Sequence, residues 1–268
     1  MRSGLRIYWR LLAAGFRQQA TYQLAALGGL VANTTFGFLK VAILFATVRA
    51  AGGDVQGYDI GAMSAYIWLS QGMLGSINLH GRTELADRVK TGAVAVDFLR
   101  PVSVQGAAIV SEVGRAIFAL IPRGGPSVLI GAVFVGMAMP THPAPYLLGV
   151  ISLLLGISTS FAAAYLVAVA GFWLVETRGM QVLYMVISGF MAGLFVPISL
   201  FPQWLRVLSQ ATPFPSMMMY PIDVLSGRVA GISAIGLVGA QLAWLASAVF
   251  AGHLMTRAGR QKLEVQGG

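Results

Sequence analysis

Long stretches without a charged residue dominate the chain, and short segments that carry arginine or acidic residues separate them. A helix needs roughly 20 apolar residues to cross about 30 Å of hydrocarbon, so these stretches predict membrane spans. Pro140, Pro143 and Pro145 interrupt the longest stretch, which therefore counts as two spans because proline removes helical donors. The stretches are Gln18–Leu39, Ile60–Gly81, Gly124–Val175, Gly179–Leu205 and Val229–Thr256. The pattern predicts an all-α polytopic membrane protein with six transmembrane helices and both termini on one side.

Composition excludes a water-soluble fold. Of the 268 residues, 57% are hydrophobic and 10% are charged, whereas ordinary globular chains carry about 25% charged residues. The mean hydropathy of +0.76 confirms that apolar residues fill whole segments and are not confined to single helix faces. The absence of cysteine excludes disulfides, thiolate metal sites and a cysteine nucleophile.

The net charge of +9 is best explained by membrane topology. Segments on one predicted side are rich in cations: Arg2, Arg6, Arg10, Arg17, Arg82, Arg88, Lys90, Arg100, Arg178, Arg257, Arg260 and Lys262. The opposite loops hold only Arg49, Arg206 and Arg228. The positive-inside rule therefore predicts that both termini and the loop over residues 80–106 are cytoplasmic, and nucleic-acid binding is not expected.

Two segments near the predicted membrane surface need separate treatment. Over residues 1–19, Leu5, Trp9, Leu12 and Phe16 fall on one side of a helix and the arginines on another, which predicts an interfacial helix in the headgroup layer. The alternative is the solvated start of span one. Between residues 107 and 139, Pro122, Gly124, Gly125 and Pro126 predict a cytoplasmic or interfacial helical turn through about Leu120, then a kink and span three.

Several catalytic classes lack the residues they need. No H-E-x-x-H or G-x-S-x-G occurs, and His80, His142 and His253 lie at the ends of three different spans. A Gly-Lys pair is also absent, which excludes a phosphate-binding P-loop in this chain. We expect no catalytic, metal or cofactor site here, so any ATPase must be another chain.

Charged groups inside the predicted spans are few. All nine carboxylates are expected in loops or at span ends: Asp54, Asp59, Glu84, Asp87, Asp97, Glu112, Glu176, Asp223 and Glu264. An ion-coupled transporter usually needs such groups within the membrane. Lys40 is the one clear intramembrane charge, and it is either a snorkelling lysine or a group that faces a cavity. Gly189 and Gly193 form a G-x-x-x-G, which serves either an oligomer contact or internal packing.

Two stretches resemble a known family. They read GRTELADRVKTGAVAVDFLRPVS, from Gly81, and GFWLVETRGMQVLYMVISGFMAGLFVPISLFPQWLRVLSQATPFPSMMMYPIDVLSG, from Gly171. Together they are similar to type-two ATP-binding cassette exporter permeases, in the viologen-exporter-like and uncharacterised permease branch. The most specific matches are Arg100-Pro101, Pro197, Phe201-Pro202, Pro213-Phe214, Pro221 and Gly227, whereas PRGGP from Pro122 departs from the family pattern.

This resemblance implies a division of labour between chains. Two cytoplasmic ATPase subunits would bind ATP and Mg²⁺, and a second copy or a homologous permease would complete a dimer among membrane lipids. A coupling helix from about Arg82 to Asp97 would dock into the ATPase, unless it is merely a solvated loop. The residues implied for this contact are Arg82, Glu84, Asp87, Arg88, Lys90, Asp97 and Arg100, with Glu176 and Arg178 in a second cytoplasmic loop.

The resemblance also implies an outer re-entrant hairpin over residues 197–228. Its characteristic residues are Pro197, Pro202, Trp204, Pro213, Phe214 and Pro221, and Trp204, Leu205 and Leu208 would supply an apolar face. We therefore expect an exporter permease of a bacterial cytoplasmic membrane that moves a hydrophobic or amphipathic drug or natural product outward. The alternatives are a permease for lipid-linked glycans and a non-transporting scaffold or sensor for an ATPase.

Overall fold

Helices account for the architecture of the part of the chain that the computed structural model describes, residues 2–174 and 176–266. Helix makes up 77%, and no strand occurs within those ranges. The α-helices are α1 Arg2–Ala20, α2 Gln23–Ala50, α3 Ile60–Met73, α4 Glu84–Lys90, α5 Ala95–Phe98, α6 Val104–Ala119, α7 Gly125–Phe134, α8 Ala144–Val169, α9 Arg178–Met191, α10 Gln203–Gln210, α11 Phe214–Met217, α12 Met219–Leu225 and α13 Gly231–Gln266. A π turn covers Leu120–Gly124, and 3₁₀ turns cover Ala170–Phe172 and Ile198–Leu200.

Four segments are long and apolar enough to cross a membrane: Leu24–Ala50, Val104–Phe134, Ala144–Phe172 and Gly231–Lys262. The helices α3 and α9 have 14 residues each. At about 1.5 Å per residue they reach roughly 21 Å, which is less than the hydrocarbon thickness. The structure therefore supports a multi-pass helical protein, with four spans recognisable by length and composition.

The third predicted span differs from its prediction. The break over the prolines is confirmed, because α7 ends at Phe134 and α8 begins at Ala144. The helix is not interrupted after Leu120, since the π turn carries it past Pro122 and joins α6 to α7 as one segment, and the kink expected there stays a prediction. Glu112, Arg115 and Arg123 consequently lie inside a candidate span. Lys40 is therefore not the one charge within the candidate spans, whereas the expectation that the carboxylates lie in loops or at span ends stays a prediction.

The core surrounds α3, in which every residue from Met63 to Met73 is buried. Beyond α3 the chain is largely non-helical until α4, and side chains of neighbouring helices bond its backbone. Ser160 of α8 accepts from the Asn78 amide at 3.0 Å, and Ser188 of α9 donates to the Leu79 carbonyl at 2.7 Å. Irregular backbone is tolerated at membrane depth when the protein satisfies it in this way.

The N-terminal helix α1 is separate from the first span, because the chain breaks at Thr21 and Tyr22. It packs closely along α6: the Phe16 and Phe118 rings meet edge to face at 5.1 Å. Gly15 lies so close to the Ser111 carbonyl that a Cβ would overlap it. The alternative of a solvated start of span one is therefore wrong, and the position of α1 in the headgroup layer stays a prediction.

Candidate coupling site

The predicted coupling helix is two short helices. The helix α4 ends at Lys90, Gly92 turns the chain with a φ of +75°, and α5 follows from Ala95 to Phe98. The prediction of a single helix from Arg82 to Asp97 is therefore wrong. We call residues 84–100 the coupling segment.

An apolar face anchors the coupling segment to the end of α8. Leu85, Val89 and Val94 are buried in a cluster with Tyr165 and Val169. This contact is packed and apolar, so α4 lies directly against the end of α8. The segment is thus mechanically attached to a span and is not a loose loop.

Asp97 joins the two helices of the coupling segment. Its carboxylate Oδ1 accepts from the Arg88 Nη2 atom at 2.7 Å and lies 3.3 Å from the Arg100 Nη1 atom. The Asp97 side chain is only 11% exposed, so the partners compensate a largely desolvated charge. Three of the charges predicted for the ATPase contact therefore hold the segment in shape.

Arg115 connects three helices at one guanidinium. Its Nη1 atom donates to Glu112 at 2.9 Å, and its Nη2 atom lies 2.8 Å from both the Gln18 amide oxygen and the Glu84 carboxylate. These contacts tie α1, the coupling segment and the third span together. A cavity of about 180 Å³ lies beside them, lined in part by Glu84, Arg88, Glu112 and Arg115.

A further ion pair links the coupling segment to the segment before α9. The Lys90 ammonium donates to the Glu176 carboxylate at 2.8 Å, and the backbone N–H of Arg178 donates to the same side chain at 3.2 Å. These two hydrogen bonds, led by that of Lys90, hold the pKa of Glu176 below its ordinary value. The Glu176 and Arg178 pair of the predicted second loop is thus brought to the coupling segment.

The outward face of the coupling segment is partly apolar. Leu99 is 85% exposed and Val96 is 55% exposed, and we call these two side chains the apolar tip. Arg82 and Asp87 are also exposed, and within the described residues neither forms an ion pair. The surface offered to a partner therefore combines the apolar tip with these two charges.

The predicted outer segment, residues 197–228, consists of a 3₁₀ turn and the short helices α10 to α12. Pro197 and Pro202 precede helical turns, and Pro213 precedes α11. The Phe214 ring packs on Tyr184 with centroids 5.8 Å apart, and Pro221 lies against Gly156 of α8. Trp204 and Leu208 are exposed as expected, but Leu205 packs against the core.

Lys40 and the glycine pair have internal contacts. The Lys40 ammonium donates to the Leu194 carbonyl and lies 5.7 Å from the centre of the Tyr66 ring. Gly193 lies beyond the end of α9 with a φ of +77°, and its carbonyl accepts from the Tyr66 hydroxyl at 2.6 Å. Gly189 faces the Phe195 ring, which a Cβ would meet at 3.3 Å. The two glycines therefore do not form a continuous small-residue face on one helix.

Comparison with known families gives this arrangement a context. Residues 31–267 match the family described as ABC-2 family transporter protein, which covers most of the chain. The chain belongs to the ABC-2 transporter family. ABC-2 permeases are membrane components that lack the ATPase site and work with an ATP-binding cassette ATPase. No curated protein matches the chain.

Membership of the ABC-2 family confirms the resemblance read from the two stretches. It also makes the chain a multi-pass membrane protein and a permease subunit of an ATP-binding cassette transporter. Among the described residues, no group of three or more His, Asp or Glu side chains is placed to hold a metal ion.

Sequence reasoning missed the most connected residue of the site. Arg115 was visible as an arginine in an apolar stretch three residues after Glu112, which is ion-pair spacing on a helix. Its contacts with Gln18 and Glu84 join residues that are far apart in the chain, so no local sequence pattern predicts them. The apolar tip was also missed, although Val96 and Leu99 at i and i+3 share one helix face.

Proposed function

We propose that this ABC-2 permease is the membrane subunit of an exporter, which moves a hydrophobic or amphipathic substrate outward under ATP hydrolysis by separate ATPase subunits. The observation that carries the proposal is the apolar tip of Val96 and Leu99, held on a segment that is rigidly tied to the spans. The buried core of a protein interface is more apolar than its rim, so an exposed apolar pair of this kind suits the centre of a docking contact. ATP and Mg²⁺ bind to the partner.

The coupling segment acts as the lever. An ATPase groove that takes up the apolar tip pulls on α4 and α5, which Asp97 holds together. The movement passes to α8 through the packed face of Leu85 and Val89, and to α1 and the third span through Arg115. Rigid-body shifts of packed helices are the usual form of such transitions.

Six crossings complete the proposed topology, with both termini in the cytoplasm of a bacterium. The short helices α3 and α9 cross together with the irregular segments that follow them. The outer segment is a re-entrant hairpin, and the buried amide of Gln241 on α13 supports this by donating to the Ser216 carbonyl at 2.8 Å. That contact lies well inside the span that α13 forms.

Two permeases form the complex with two ATPases, and the substrate passes between the permeases. We place the contact between the permeases on α9, one face of which carries large exposed apolar side chains: Val182, Leu183, Met185, Val186, Ile187 and Phe190. The dimer is formed either by two copies or with a homologous permease.

Purification and reconstitution test the proposal. The tagged permease should bring down a soluble ATPase from its host, and the purified permease alone should hydrolyse no ATP. Proteoliposomes that contain the complex should move an amphipathic dye in an ATP-dependent manner, and they should lose this transport when the ATPase is inactivated. A chain that brings down an ATPase but supports no transport of any amphipathic dye would instead be a scaffold.

A further inference from the structure

Arg123 is seated inside the membrane-spanning part of the permease. It belongs to the π turn in the candidate span Val104–Phe134. Its guanidinium passes between Gly29 of α2 and Gly75, where a Cβ on Gly75 would lie 3.2 Å from the guanidinium carbon and one on Gly29 would be closer still. Only residues without a side chain leave room there. A π turn within an α-helix is frequently found at functional sites.

Within the described part of the chain, the charge of Arg123 has polar partners but no counterion. The Nη2 atom donates to the Asn33 side-chain oxygen at 3.1 Å, and Asn33 donates in turn to the Gln71 carbonyl at 2.8 Å. The Nε atom is buried and has no hydrogen-bond partner. Among the described residues no carboxylate forms an ion pair with Arg123. An uncompensated charge at this depth costs several kcal/mol and marks a functional group by default.

A cavity of about 280 Å³ adjoins this guanidinium. Its other charged lining groups are Glu112 and Arg115, which already pair with each other, and Arg115 also pairs with Glu84. Of the two described cations that line the cavity, Arg123 is therefore the one without a carboxylate partner. The volume far exceeds the roughly 15 Å³ that one water molecule requires, so a head group fits.

An apolar surface flanks the cavity on its α2 side. Ala25 and Ala26 line the cavity, while Leu24 and Leu27 beside them are exposed. Ile121, next to the cavity residue Pro122, is exposed as well. The site thus presents a cation inside and hydrocarbon surface outside, which is the pattern that complements an amphipathic anion.

We propose that Arg123 binds the anionic head group, a carboxylate or a phosphate, of an amphipathic molecule whose chain lies along Leu24, Leu27 and Ile121. The planar guanidinium suits both groups because it donates two parallel hydrogen bonds to paired oxygens. The inference rests on the proposed export function, since it names the chemical class that the permease accepts. Gln19, which also lines the cavity, supplies a further polar contact at its rim.

A fluorescent fatty acid tests the site directly. The purified permease is placed in phosphatidylcholine nanodiscs and titrated with 11-(dansylamino)undecanoic acid, and its neutral methyl ester serves as the matched ligand. Arg123→Gln should weaken binding of the acid about tenfold or more and leave binding of the ester unchanged, since a lost charged hydrogen bond contributes about 1.5 kcal/mol or more. Arg123→Lys keeps the positive charge but loses the two parallel N–H donors of the guanidinium. Its affinity for the acid should therefore lie between those of the unmodified chain and Arg123→Gln.

Arg17→Gln is the control, because Arg17 is an exposed arginine outside the cavity and the charge change is the same. It should bind the acid like the unmodified chain. The proposal is overturned if Arg123→Gln binds the acid as tightly as the unmodified chain does. It is also overturned if Arg123→Gln loses affinity for the acid and the ester equally, which would indicate collapse of the cavity.

A second arm separates the two sources of an anionic head group. Phosphatidic acid added to the nanodiscs should displace the dansyl acid if the natural occupant is a membrane phospholipid. A lack of displacement at saturating phosphatidic acid would assign the site to a carboxylate cargo. Copurification of the ATPase with tagged Arg123→Gln is measured in parallel. This measurement distinguishes a failure of anion binding from a failure of the transporter assignment.

Discussion

Removal of the apolar tip should separate the permease from its ATPase. The perturbation is the double substitution Val96→Ser and Leu99→Ser, which leaves the ion pairs of Asp97 in place. Both side chains are exposed, and exposed substitutions usually change stability by about 0.5 kcal/mol or less. The melting temperature of the permease should therefore stay within about 2 °C of the unmodified value.

The magnitude follows from how much surface docking can bury. Full burial of a leucine or valine contributes about 1.5 to 3 kcal/mol. Leu99 is 85% exposed, so nearly all of this gain is available to it, whereas Val96 at 55% has about half. The two together contribute about 2 to 4 kcal/mol, which corresponds to a roughly 30- to 700-fold weaker Kd.

The assay titrates the ATPase onto permease nanodiscs and measures the Kd and the stimulation of hydrolysis. Leu5→Ser is the matched control, because Leu5 is also a highly exposed leucine, at 77%, but lies on α1 outside the coupling segment. It should bind the ATPase like the unmodified permease. A Kd for the double variant within twofold of the unmodified value would refute the docking role of the apolar tip.

Three further predictions concern packing, topology and pH. Gly15→Ala should destabilise the permease by about 1 to 3 kcal/mol in thermal unfolding through overlap with α6, whereas Gly4→Ala has open space and should not. Single cysteines replacing the exposed Thr91 and Gln210 should react with an impermeant maleimide in intact cells only at 210. Because the folded pKa of Glu176 is lowered from 4.5, its contribution is present above about pH 4.5 and is lost as the pH falls through the folded value. The difference in stability between the unmodified chain and Glu176→Gln should shrink over that acid range and stay constant at neutral pH.

Composition and local pattern determined the large-scale character of the permease. The apolar stretches around α2, α8 and α13 are long enough to identify spans without a structure, because a helix needs about 20 consecutive apolar residues to cross a bilayer. The proline cluster also ended α7 and began α8 where the sequence indicated, since proline acts on its immediate neighbours. The two stretches that begin at Gly81 and Gly171 identified an ABC-2 permease, because the characteristic residues of the family lie close together within each stretch.

Local rules failed where the outcome depended on neighbours in space. Pro122 with its glycines predicted a break, yet the π turn absorbs the proline, and packing against α2 and α3 holds the segment together. Five charges of the coupling segment, predicted at the ATPase contact, form ion pairs inside the chain: Glu84, Arg88, Lys90, Asp97 and Arg100.

The sequence by itself therefore determined that this chain is a helical ABC-2 permease with a charged segment between its spans. Only the tertiary structure decided which charges are internal, which side chains remain exposed on the coupling segment, and that Arg123 faces a cavity without a counterion. The physical reason is the separation along the chain of the residues that interact. Hydrophobic burial in a bilayer sums over adjacent residues, whereas an ion pair or a cavity depends on residues that the chain brings together from far apart.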